Sequence, residues 1–177
     1  MIQKNNNVLV AVLVALTLPT VVFSQPTEKD KLKAIAREII DAAGNCALIT
    51  LDKEGQSRAR TMDPFTPEDD FTIWFGTNTK SRKVKQIKNN PRVTLYYFDK
   101  PSSSYVTIHG KAVIVDGAKE KKQYWKKEWS AFYPDYPQGY ALIKVTPEWM
   151  EVISELRGIT GDSITWQPPM LKLDSLK

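Results

Sequence analysis

Apolar and polar positions recur with two different periods along this 177-residue chain. Over residues 27–43 the apolar side chains return every three to four positions, which predicts an amphipathic helix capped by Thr27 and ended by Gly44. The segments that follow are shorter and alternate apolar with polar residues, as half-buried β-strands do. Strands are predicted at residues 46–51, 56–63, 71–76, 92–99, 104–115 and 139–146, with 148–154 as the candidate for a seventh.

Two more helices are predicted, at residues 81–89 and 118–131. Strands and helices do not alternate regularly, and residues 52–55 form a hairpin turn, so an antiparallel barrel with added helices is favoured over a parallel sheet. The strand that follows Asn90-Pro91 comes without an intervening glycine-rich turn, which disfavours a dinucleotide-binding fold. The expected fold class is therefore mainly β (α+β), a six- to seven-stranded antiparallel barrel with flanking helices.

The first 24 residues resemble a secretory signal peptide. Lys4 is their only charged residue, an apolar core covers residues 8–18, and Val22-Phe23-Ser24 fits a small-residue cleavage site before Gln25. That core is shorter than the roughly 20 residues that cross a bilayer, although a retained anchor stays the alternative. Cleavage would leave one domain at residues 25–155 and a tail at 156–177, with no membrane attachment. We expect a secreted protein, located in the periplasm.

The amino-acid composition limits the kinds of binding and metal sites that the chain can form. The formal net charge is +5, and the excess is local, since cations cluster over residues 80–88 where no acid occurs. Cys46 is the only cysteine, so an intrachain disulfide is excluded, and we expect it to be a small core residue. One cysteine and one histidine, His109, are a poor basis for a metal site, and none is predicted.

Hydroxyls and cations meet where the third strand gives way to a helix. Thr77 and Ser81 supply hydroxyls, Arg82 and Lys83 supply charge, and the first helical turn has free N–H groups. These groups together favour a phosphate. The alternative is an ordinary solvated basic helix with a threonine cap, which composition alone favours.

Three other features have open interpretations. Arg58, Arg60 and Met62 share one face of a strand and suit an anionic or planar ligand, or else simply face solvent. His109 could donate a proton, but a lone strand histidine is more often structural, and Gly110 beside it suggests a bulge. An aromatic cluster is best explained by core packing or a subunit contact, with a ligand lid as the sharper alternative. Its members are Trp125, Trp129, Phe132, Tyr133 and Tyr136.

The residues from Thr77 to Val93 resemble a known motif. Thr-Asn-x-x-Ser-Arg-Lys, followed by Gln-Ile-x-Asn-Asn-Pro-Arg-Val, is similar to the phosphate-binding strand and helix of pyridoxamine 5′-phosphate oxidase. The surrounding order, from an Arg-x-Met strand to an Ile-His-Gly-Lys-Ala strand, is similar to the FMN-binding split-barrel group and its general-stress-protein branch. The resemblance covers about residues 30–153.

This resemblance implies a homodimeric split barrel with FMN at the subunit interface. Residues along the flavin ring and ribityl chain would be Arg60, Thr61 and Met62. Residues holding the phosphate would be Gly76, Thr77, Ser81, Arg82 and Lys83. Tyr105 occupies the place of a glutamine that touches FMN in the oxidase.

The sequence differs from that of the oxidase at several functional positions, and these differences limit which of the oxidase's properties the resemblance implies. Residues 63–65 lack its substrate-contacting lysine, and its C-terminal Trp and Arg motif has no clear counterpart, although Trp149 or Trp166 could reach a partner's flavin. We therefore expect a flavoprotein, an FMN-dependent oxidoreductase with an unknown small-molecule substrate and no identified catalytic residue. A flavin-storing or stress-response module without turnover is the alternative, and a deazaflavin could replace FMN. The modest charge and the export signal disfavour a nucleic-acid partner.

Overall fold

A computed structural model of the protein describes residue 25 and residues 27–173, so the predictions for residues 1–24 lie outside the described residues. The helices are α1 (Glu28–Ala43), α2 (Arg82–Asn89) and α3 (Ala118–Gln123), with 3-10 helices at Lys127–Ala131 and Glu155–Arg157. The strands are β1 (Cys46–Leu51), β2 (Ser57–Met62), β3 (Ile73–Asn78), β4 (Arg92–Asp99), β5 (Ser104–Val115), β6 (Tyr140–Ile153) and β7 (Met170–Lys172).

These strands form one antiparallel sheet that curls into a barrel. Their order is β2-β1-β4-β5-β6-β3, and β7 adds to β6. The two end strands, β2 and β3, meet through the chain just after β2, where Pro64 bridges Phe75 and the Phe65 N–H donates to the Trp74 carbonyl at 2.9 Å. The predicted mainly β split barrel is confirmed, and its seam lies between β2 and β3.

Alternating side chains fill the barrel and the space beneath α1. Leu48, Leu95 and Ile108 are fully buried, and Ile39 of α1 packs in the same cluster. The helix begins as predicted, because the Thr27 hydroxyl accepts the Asp30 N–H at 3.1 Å. Cys46 is a buried core residue, as expected, and burial raises the pKa of its thiol to about 12.

The sixth and seventh predicted strands are one continuous strand, β6, which runs through Pro147. Proline cannot donate to a ladder, and here it stands opposite Gly110, where the register between β5 and β6 shifts. A Cβ at Gly110 would lie 2.3 Å from the Thr146 carbonyl oxygen. The predicted bulge at Gly110 is thus present, and it lets the strand continue past the proline.

The actual seventh strand, β7, belongs to the segment after residue 155 that was predicted as a tail. It pairs with β6, and its Leu171 is buried in the main core. Residue 173, a leucine, is buried in the same cluster.

The predicted helix at 118–131 is wrong in its middle. It ends at Gln123 and resumes as a 3-10 turn at Lys127. Tyr124 leaves helical geometry because its ring stacks on Trp74 at 4.5 Å and its hydroxyl donates to Glu68 at 2.6 Å. Tertiary contacts therefore outweigh the helical pattern.

Across the described part of the chain, none of the helices combines the length and apolarity needed to cross a membrane.

Candidate functional site

The barrel seam opens into a cavity on one side of the Pro64–Phe75 bridge. Its volume is about 330 Å³, within the range of small-molecule sites. Residues from the two diverging edges line it, together with Lys83 of α2 and three aromatic side chains. The full lining is Thr61, Met62, Asp63, Gly76, Thr77, Asn78, Lys83, Trp129, Phe132 and Tyr133.

One end of this cavity carries a hydroxyl and ammonium cluster. The buried Thr77 hydroxyl lies 3.2 Å from the Ser81 hydroxyl and accepts the Lys83 ammonium at 3.1 Å. The chain turns there because Asn78 accepts the Lys80 N–H with its side chain and the Ser81 N–H with its carbonyl. Ser81 is the N-cap of α2 but makes no side-chain capping bond. Its hydroxyl and the N–H groups of Arg82 and Lys83 are therefore available to an anion, while the Val84 N–H donates to the Ser81 carbonyl at 3.1 Å.

Three cations, Arg60, Arg82 and Lys83, converge at this end of the cavity without a salt bridge to any described residue. Burial, and then the charge of Arg82, lower the pKa of Arg60. Burial, and then the charge of Arg60, lower the pKa of Lys83. Arg60 and Lys83 are half-buried and Arg82 is exposed beside them, and like charges held this close are destabilising unless an anion balances them. The electrostatics of this end of the cavity therefore favour a multiply charged anion.

Arg60 is held in place by neighbours that sequence reasoning did not select. One of its terminal nitrogens donates to the Thr50 hydroxyl at 2.7 Å, and the other donates to the Gln86 amide oxygen at 2.9 Å. The Thr50 hydroxyl also donates to Gln86 at 2.7 Å. This network joins β1, β2 and α2, and nothing in the local sequence of any one element signals it.

The structure brings together most, but not all, of the predicted residues. Thr61, Met62, Gly76, Thr77 and Lys83 line the cavity, while Ser81, Arg82 and Arg60 stand at or behind its cationic end.

Two of the candidate residues, Arg58 and Tyr105, lie away from this cavity. Arg58 does not join the site, because it pairs with Asp52 in the hairpin at 2.7 Å. Tyr105 is opposite Ile153, at the far end of β6 from Ala141, which pairs with Thr77. Within one chain Tyr105 therefore does not reach the cavity, and its predicted cofactor contact stays a prediction.

The sequence indicated the aromatic side of the cavity only through the alternative that the aromatic cluster forms a lid over a ligand. Trp129 lies against the backbone of β3, because a Cβ at Gly76 would be 2.3 Å from its ring carbon Cζ3. Tyr133 and Phe132 continue this side toward solvent. Gly76 therefore serves a close approach of an aromatic ring.

His109 lies outside this cavity. Its ring stacks on Trp149 with centroids 3.8 Å apart, and its Nδ1 is 3.2 Å from the Thr94 hydroxyl. Both rings line a different depression, of about 430 Å³, on the outer face of the sheet. These contacts agree with the structural interpretation of His109. Among the described residues, no three His, Cys, Asp or Glu side chains group as metal ligands.

The chain is similar to known proteins in both sequence and fold. A sequence model of the family described as pyridoxamine 5′-phosphate oxidase like matches residues 30–155. General stress protein 26 of Bacillus subtilis (strain 168) is 27% identical over 122 residues, covering 66% of this chain and 84% of the relative.

Two crystal structures share the fold. General Stress Protein 26 from Bacillus anthracis str. Sterne has a TM-score of 0.63 at 24% identity and covers 80% of this chain and 98% of its own. A protein related to general stress protein 26 from Clostridium acetobutylicum has a TM-score of 0.67 at 18% identity and covers 82% and 96%.

Proposed function

The chain belongs to the pyridoxamine 5′-phosphate oxidase-like family, and we propose that it is a flavoprotein that binds FMN in the cavity between β2 and β3. The observation that carries this proposal is the cationic cluster of Arg60, Arg82 and Lys83, which lacks a balancing carboxylate among the described residues. Members of this family often bind flavin. Burial, and then mutual repulsion, lower the pKa of Arg60 and of Lys83, and a phosphate bound here would balance that repulsion.

The residues present fit the phosphate of such a ligand. The Thr77 and Ser81 hydroxyls and the first-turn N–H groups of α2 can donate to phosphate oxygens, and Arg82 can donate two parallel bonds. Arg60 would add charge from behind, held by Thr50 and Gln86. The ring would extend along the edge formed by Thr61 and Met62, the other half of the same cavity.

We propose an oxidoreductase as the activity, with an unidentified small-molecule substrate. Bound FMN supplies the redox chemistry itself. The chain would bind and orient the cofactor.

One observation favours a second function, a flavin-binding module without turnover. Asp63 is the only carboxylate among the described residues that line the cavity, and it is paired with Lys126 at 2.7 Å. The cavity therefore offers no free carboxylate for proton transfer. Reduction by a nicotinamide donor, followed by reoxidation with an added acceptor, would distinguish turnover from storage.

The test of FMN binding is the absorption spectrum of the purified protein, with the released cofactor identified by mass. The double variant Arg82→Ala, Lys83→Glu should lose FMN while keeping the circular dichroism spectrum of the parent. The matched control is Lys88→Ala, Lys85→Glu, which makes the same charge change at exposed positions of the same helix. If the first double variant retained FMN as tightly as the parent, the phosphate assignment would be wrong.

We also propose that the protein is a homodimer formed through the outer face of the sheet. That face carries the large exposed rings of Tyr96 and Phe98, 37% and 46% exposed, with Tyr105 beside them. A neighbouring subunit would cover them, and it would give Tyr105 a route to a cavity that its own chain does not provide.

A further inference from the structure

The aromatic half of the cavity is supplied by the connection between β5 and β6. We call residues 116–139 the strap. The strap contributes Trp129, Phe132 and Tyr133 to the cavity, and we call these three residues the aromatic wall. Lys83 of the cationic cluster lines the same cavity, so the site combines a charged part with an aromatic part.

The strap is fastened to the loop between β2 and β3. Its Lys126 donates to Asp63 at 2.7 Å, and its Tyr124 donates to Glu68 at 2.6 Å. Buried Lys121 donates to the Pro137 carbonyl at 2.7 Å and so ties the strap's two ends together. The aromatic wall is therefore fixed relative to the seam, as a preorganised binding surface requires.

Trp129 and Tyr133 are supported from behind by other rings. Trp129 packs against Phe65 at 5.5 Å, and Tyr133 packs edge-on against Tyr140 at 4.9 Å. The Lys126 ammonium lies 5.1 Å from the Trp129 ring centroid. Such contacts restrict the orientation of both rings.

Phe132 differs from these two residues. It is 75% exposed and makes no ring contact with any described residue. Nevertheless it lines the cavity at the edge of the aromatic wall. Because this phenyl ring stands at the mouth of the cavity, a flat ligand bound there could stack on it and cover it.

We propose that the aromatic wall is the ring-binding half of the site and that Phe132 is its main affinity determinant. The ligand class is a flat heteroaromatic ring joined to a phosphate. The phosphate lies on the cationic cluster, and the ring lies between the wall and the strand edge at Thr61 and Met62. This inference rests on the proposed function, because the same cavity must take the phosphate.

The experiment titrates the full chain with two probes, FMN and riboflavin. Riboflavin lacks the phosphate and therefore reports on the ring half alone. Phe132→Ala should weaken the binding of both probes by the same factor, roughly 5- to 150-fold, which is the usual range for losing one stacking ring. Phe132→Trp should keep the parent affinity, because it retains a flat ring.

The matched control is Leu156→Ala, which removes a side chain that is also 75% exposed, outside the strap. It should leave both dissociation constants unchanged. The phosphate variant Arg82→Ala, Lys83→Glu should weaken FMN binding but leave riboflavin binding close to that of the parent. The ring and phosphate halves are thereby measured separately.

An unchanged riboflavin affinity in Phe132→Ala, together with FMN binding that still depends on Arg82 and Lys83, would overturn this inference and leave the proposed function intact. A loss for FMN alone would also overturn it, because Phe132 would then act on the phosphate. If the parent bound neither probe, the proposed function would fail first, and the ring assignment with it.

Discussion

At the scale of single residues, His109 shows how burial sets a protonation state. It is the only histidine of the chain. Partial burial lowers its pKa, and the nearby Glu151 carboxylate opposes this with a smaller effect in the other direction. The neutral ring is therefore favoured near pH 7, where its Nδ1 interacts with the Thr94 hydroxyl.

We predict that the His109 ring titrates below the usual histidine value of about 6.5. Because the folded-state pKa is the lower one, the contribution of this group to stability is present above the unfolded pKa. It is lost as the pH falls through the window between the two values. The measurement is the ¹H NMR titration of the single imidazole Cε1–H signal.

Replacing Glu151 by Gln should move the His109 midpoint still lower, since it removes the charge that favours imidazolium. Glu155→Gln is the control, because Glu155 is an exposed carboxylate that is not among the causes of the shift. A parent midpoint at or above 6.5 would contradict the prediction.

Residue chemistry also limited what the sequence could say about the cationic cluster. The hydroxyls and cations from Thr77 to Lys83 were found because they are contiguous. Thr50 and Gln86 were not selected, because each makes its contact with Arg60 only after β1, β2 and α2 have packed together.

At the scale of elements, local pattern and tertiary contact compete. Strand β1 was predicted with its exact bounds, because it is a six-residue apolar run that ends at the turn of residues 52–55. The predicted helix at 118–131 breaks at Tyr124, whose stacking on Trp74 is a long-range contact. Three-residue β7 is too short to show a period, so only its pairing with β6 defines it.

We predict that β7 stabilises the barrel through Leu171. Leu171→Ala should lower the free energy of unfolding by about 2–4 kcal/mol, because it leaves a cavity in the main core. The neighbouring Met170 is 50% exposed. Met170→Ala should therefore change the free energy of unfolding by less than about 1 kcal/mol. Urea denaturation of the parent and both variants checks this. Equal effects of the two changes would mean that β7 does not pack on the core in solution.

At the scale of the whole molecule, the outer face of the sheet is the feature that a single chain leaves unexplained. Tyr96 and Phe98 stack with centroids 6.4 Å apart and remain exposed. Adjacent exposed rings on a rigid strand are typical of a protein interface.

We predict a dimer in solution, measured by light scattering coupled to size exclusion. Phe98→Glu should shift the mass to that of the monomer, because a charge cannot be buried in an apolar contact without a partner. Ile164→Glu is the control, since that side chain is 86% exposed in a loop away from the strand face. A parent that runs as a monomer, or a Phe98→Glu variant that remains dimeric, would contradict this interface.

The sequence by itself determined the fold class, most strand bounds, the start of α1 and the contiguous cationic motif, because each depends on neighbours close along the chain. It also predicts an export signal at residues 1–24, on which the described structure does not bear. Only the tertiary structure decided that β2 and β3 part at a seam, that Thr50 and Gln86 hold Arg60, and that the strap places Trp129 on Gly76. These features join residues that are roughly ten to fifty positions apart, and packing, not local periodicity, selects such contacts.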